Sequence, residues 1–98
     1  MTDTPTIEIL NVLRPGKLYR ANRDKFEAMK MALLKVIPKT SPGMTIEDLG
    51  KSVLPHLPQS LFPGGATAGW WIKAVQLDLE ARKIIVREKT KPLRLHQI

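Results

Sequence analysis

Near the start of the chain apolar and polar residues alternate: Ile7, Ile9 and Val12 are interleaved with Glu8 and Asn11. A period of two places successive side chains on opposite faces of an extended backbone, so this stretch reads as a short strand. Pro15-Gly16 supplies a turn, and Leu18-Tyr19-Arg20 begins a second strand. The period then lengthens. At about 100° per residue, Phe26, Met29, Ala32, Leu33, Val36 and Ile37 share one side of a helix, with Glu27, Met31 and Lys35 opposite. Asn22 is placed to cap that helix and Pro38 to stop it.

Proline sets the punctuation further on. Five of the eight prolines fall between residues 38 and 63, which breaks the middle of the chain. Pro42-Gly43 makes a turn, and Thr45 opens a short second helix. Its first turn carries Glu47 and Asp48, where the helix dipole favours acids. Leu49, Val53 and Leu54 form the apolar side of that helix, and Pro55 and Pro58 end it. The loop Leu61-Phe62-Pro63-Gly64-Gly65 is expected to tuck its aromatic ring beneath it. A third helix follows over residues 66–83. Ile84-Ile85-Val86-Arg87-Glu88 is β-branched and apolar, hence a strand. Lys89-Thr90-Lys91-Pro92 is a charged turn, and Leu93-Arg94-Leu95-His96 alternates as the returning strand.

The third helix is apolar around most of its circumference. With Trp70 at zero, Ala74, Leu77 and Ala81 lie within about 40° of it, and Ala68, Trp71, Ile72, Val75 and Leu79 fill the arc from about 100° to 200°. Both tryptophans are expected to wall the core, and Asp78 and Arg82, four residues apart, to pair within the apolar arc. One stripe stays free: Gly69, Lys73, Gln76, Glu80 and Lys83. Such a helix is packed from several sides, by two helices and a sheet, while the two N-terminal strands are expected to be peripheral.

Composition narrows the chemistry. The chain has 98 residues, 43% hydrophobic and 26% charged, as in a single globular α+β domain. We divide it into N-terminal strands (1–21), three helices (22–83) and a C-terminal hairpin (84–96). The absence of cysteine excludes disulfides, thiolate metal sites and cysteine nucleophiles. Two histidines, His56 and His96, give no metal-binding spacing, the serines sit in no nucleophile elbow, and the acids are scattered. The expectation is a non-enzymatic protein with no cofactor. Met-Thr-Asp-Thr-Pro is unlike a secretory signal and no apolar run reaches a membrane span, so a cytoplasmic location is expected.

Charge changes the picture more. The net charge is +7, and the surplus is clustered. Arg14, Lys17, Arg20, Arg23 and Lys25 stand against Asp24 alone, and Arg82, Lys83, Arg87, Lys89, Lys91 and Arg94 against Glu88 alone. Clustered positive charge on a small domain points to a polyanion, most often nucleic acid. On the free stripe Gly69 admits close backbone approach, Lys73 reaches a phosphate or guanine, and Gln76 has the amide geometry that pairs with adenine. Gly69 relieving helix crowding, with Lys73 and Gln76 merely solvated, is the competing reading. The glycine run before the helix offers free N–H groups but lacks the lysine and spacing of a phosphate loop.

A short helix, a turn, a long helix and then Val75-Gln-Leu-Asp-Leu-Glu-Ala-Arg-Lys-Ile-Ile-Val-Arg-Glu88 running into a basic hairpin resembles a winged helix-turn-helix domain over residues 22–96. The chain also resembles a family of small uncharacterised bacterial proteins that share the core Phe-Pro-Gly-Gly-Ala-Thr-Ala-Gly-Trp-Trp, residues 62–71. It departs from the winged-helix pattern at Lys83, which stands where the join usually carries glycine, in its proline-broken middle helix, and in its added N-terminal strands. The resemblance implies a three-helix fold with a hairpin wing and a DNA-binding, regulatory role. Duplex DNA is then contacted by Thr67, Gly69, Lys73 and Gln76 on the third helix and by Arg87, Lys89, Lys91 and Arg94 on the wing, in a protein expected to dimerise. Two alternatives stand beside it: a protein-interaction module for an acidic partner, and small-molecule binding near the Gly-rich turn.

Overall fold

The computed structural model describes residues 5–98; residues 1–4, which include most of the start read above as unlike a secretory signal, lie outside the described residues. Strands β1 (Thr6–Ile9) and β2 (Tyr19–Asn22) form an antiparallel pair in which Thr6 faces Asn22 and Ile9 faces Tyr19. Helix α1 (Arg23–Val36) follows at once, capped by Asn22, whose side chain accepts from the Lys25 N–H at 3.1 Å. The two-residue strand β3 (Met44–Thr45) leads into α2 (Ile46–Val53), capped by the Thr45 hydroxyl. After two 3₁₀ turns come α3 (Ala68–Ala81), β4 (Ile85–Glu88) and β5 (Arg94–Gln97). The second sheet is antiparallel throughout, in the order β3-β5-β4, so the C-terminal hairpin is tied back to the strand before α2. The architecture is α+β, three helices with two small sheets.

One core joins these elements. Phe26, Met29 and Leu33 of α1 meet Leu49 and Val53 of α2, Val75 and Leu79 of α3, and Ile85 and Leu95 of the hairpin, with Phe62 fully buried beneath its loop. Leu54 departs from expectation: it is 46% exposed. Pro55 ends α2 at Val53 and the chain tightens into a 3₁₀ turn, which rotates Leu54 away from the core and lets Leu57 take its place.

The N-terminal strands are not peripheral. Ile9 and Ala21 are core residues, and the segment after β1 lies along α3. The Leu10 N–H donates to Asp78 Oδ1 at 2.8 Å, and the Val12 N–H donates to the Leu77 carbonyl. Asp78, completely buried, also accepts from Arg82 Nε at 2.9 Å, the expected pair. One carboxylate therefore fastens the N-terminal segment to the third helix.

Helix α3 is shorter than the pattern implied because its ends leave helical geometry. Gly64, Gly65 and Thr67 adopt left-handed backbone before it, and Lys83 does so after it with φ 61°. The Ile84 N–H reaches the Leu79 carbonyl and the Lys83 N–H that of Glu80, which together form a Schellman cap with Lys83 at the position glycine favours. A side chain there costs roughly 1–2 kcal/mol relative to glycine. Lys83→Gly is accordingly expected to stabilise the protein by about 1 kcal/mol, a rise in Tm of roughly 4–8 °C readable by thermal melting.

Candidate nucleic-acid interface

The free stripe of α3 divides along its length. Its C-terminal half is buried: Gln76 is 6% and Glu80 8% exposed. Arg87 reaches back from β4 and donates to Glu80 through Nε at 2.5 Å and Nη2 at 2.9 Å, while Gln76 Nε2 donates to Glu80 Oε2 at 3.1 Å. The Glu80 carboxylate, by that hydrogen bond, holds the Arg87 guanidinium above its ordinary value against the opposing effect of burial. A raised base contributes its stabilisation at every pH below the ordinary arginine range, so this clamp does not loosen by loss of the arginine proton near neutrality. Gln76 is thus no exposed reader of base edges, and Arg87 is committed to an internal acid. Arg94, half-buried, donates to the Gly43 carbonyl at 3.1 Å and roots the hairpin.

The N-terminal half of the stripe stays open. Gly69 and Lys73 are exposed, and a Cβ on Gly69 would meet nothing within 4 Å, so no neighbouring helix explains the glycine. Thr67 is exposed in the left-handed region; its hydroxyl donates to the Ala66 carbonyl, and no side chain caps α3. Trp70, expected in the core, is 62% exposed. The reason is positional: Leu10 and Val12 bond to Asp78 and Leu77, about two turns further along the helix. Trp71 is the buried member of the pair, and it meets Phe62 edge-on with centroids 6.5 Å apart.

Two grooves flank this open half. One, about 600 Å³, lies between α3 and the β1–β2 hairpin; Trp70, Tyr19 and Leu77 line it together with Arg14, Arg20 and Lys73. None of its described lining residues is acidic. The other, about 330 Å³, runs toward the β4–β5 hairpin past Leu93 and Arg87. Gly69 and Lys73 line both, as a ridge between them. Arg14 and Arg20, outside the set expected from sequence, are the cations that geometry adds; their sequence signal was the basic cluster after Val12. At the tip of the β4–β5 hairpin Lys89 and Lys91 are exposed to solvent.

Fold and surface together define a small α+β protein with a basic face interleaved with aromatic rings. Residues 6–95 match a family of unknown function, DUF6958, and the chain belongs to that family. No curated protein and no solved structure matches it. Among the described residues no helix is long and apolar enough to cross a membrane.

Proposed function

We propose that the protein is a non-enzymatic winged helix-turn-helix module that binds duplex DNA in a regulatory role. The observation that carries this reading is the convergence of Arg14 and Arg20 from the N-terminal hairpin with Lys73 of α3 around one groove without a described acidic lining residue. A further support is topological: a short helix, a connection over residues 54–67 that holds two 3₁₀ turns, and a long helix run through a tight cap into a basic hairpin that is tied back by β3. Phosphates are held by Lys73, Arg14 and Arg20, with Lys89 and Lys91 of the wing tip as outlying contacts; Gly69 and Thr67 give the backbone of the helix start room to approach.

Each neutralised phosphate releases condensed counterions and contributes about −0.9 to the slope of log K against log salt. Converting Lys89 and Lys91 to alanine is therefore expected to flatten that slope by roughly 1.8 and to weaken duplexes of every sequence alike, measured by fluorescence anisotropy. An unchanged slope would remove the wing from the interface.

A protein-interaction module for an acidic partner is the second reading. Exposed Trp70 in the basic groove and exposed Leu13 in the neighbouring one favour it, because apolar side chains beside basic ones suit a peptide as well. Absence of duplex binding at about 50 mM salt, where charge attraction is strongest, would turn the assignment to that partner.

A further inference from the structure

We propose that the groove beside α3 receives a nucleobase lying outside a stacked duplex, with Trp70 as its stacking surface and Arg14, Arg20 and Lys73 on the flanking phosphates. This rests on the nucleic-acid reading above and specifies the form of nucleic acid that the site prefers.

The groove is divided as such a ligand is divided. Ile9, Leu10, Ala74 and Leu77 contribute apolar lining, while the three cations contribute charge. A nucleotide is likewise a flat ring joined to anionic phosphates. At about 600 Å³ the space falls within the ~300–1,000 Å³ usual for small-ligand sites, ample for one base. A base paired inside a duplex has both faces covered and cannot enter; an unpaired one can.

Trp70 is exposed yet braced. Its ring meets Trp71 at 4.9 Å between centroids with planes 80° apart, and Trp71 in turn meets Phe62 at 82°. Two buried rings thus hold an exposed indole in place, and Tyr19 lines the same groove. Stacking on such a surface is sequence-tolerant, since every base has a π-face. Gly69, one residue before Trp70, carries no side chain in a space where a Cβ would touch nothing. That vacancy leaves the edge of the groove open to the incoming strand.

The test compares a blunt duplex with the same duplex carrying a single-stranded extension, both titrated against the full chain by fluorescence anisotropy. The extended form is expected to bind more tightly, with quenching of tryptophan fluorescence. Trp70→Ala should weaken the extended form roughly 10–100-fold, the worth of a lost base stack, and leave the blunt duplex and the salt slope unchanged. Trp70→Phe should restore part of the loss. Gly69→Leu, which enters open space and so leaves the fold intact, should abolish the preference for the extension. Equal affinity for the two forms, indifferent to Trp70→Ala, would overturn the base-binding groove while leaving duplex binding standing. Failure of both forms to bind would overturn both readings together.

Discussion

Replacing Asp78 with alanine is expected to lower the stability of the protein by about 2–4 kcal/mol. The carboxylate is fully buried and holds two donors from different parts of the chain, the Leu10 N–H and Arg82 Nε. Alanine leaves the backbone N–H without its partner and Arg82 without its counter-charge. Arg82 is 42% exposed and can turn to water, which keeps the cost below that of breaking a fully buried pair. Against a total of about 5–15 kcal/mol for a typical domain, the effect is large, a fall in Tm of roughly 10–20 °C. Asp78→Asn retains an acceptor for Leu10 and should lose less than half as much. The same substitution reaches the site, because the segment that Asp78 fastens runs on to Arg14 and forms one wall of the groove. Weakened nucleic-acid binding should accompany the loss of stability, and an alanine variant that melts like the parent protein would mean that this segment is not pinned as described.

What could be read from the sequence was local. Proline and glycine placed the breaks, Asn22 announced its helix, and the i, i+4 spacing of Asp78 and Arg82 announced their pair, because each of these signals acts within a turn or two of chain. What escaped was tertiary. The wheel placed Trp70 with Leu77 and Ala81 on one arc, and nothing in it shows that the N-terminal segment is bonded at Leu77 and Asp78 and leaves Trp70 open. Gln76 and Glu80 looked solvated until Arg87, on the following strand, reached back to bury them. Strand β3, two residues long, carries too little alternation to be seen and is defined only by its pairing with β5. The candidate site follows the same division. Lys73 and Gly69 were visible as an open stripe, whereas Arg14 and Arg20 join them through tertiary contacts, the bonds of Leu10 and Val12 to α3 and the pairing of β2 with β1.

The second large effect concerns binding. Arg14→Ala, Arg20→Ala and Lys73→Ala together remove the three phosphate contacts proposed for one groove while altering only exposed positions, which ordinarily changes stability by no more than about 0.5 kcal/mol each. At about −0.9 per contact, the slope of log K against log salt should flatten by roughly 2.7, and with both proteins extrapolating to the same affinity at about 1 M salt, affinity near 0.1 M salt should fall roughly 500-fold. The parent protein, with these three cations and Lys89 and Lys91 engaged, should show a slope of about −4.5 and lose roughly 500-fold in affinity between 50 and 200 mM salt. The decisive measurement is that salt series on duplex DNA, run in parallel for the parent protein and the folded triple variant. A steep parent slope that flattens by nearly three in the variant is the predicted result; a parent that does not bind at 50 mM salt, or a variant that binds with an unchanged slope, contradicts the nucleic-acid assignment.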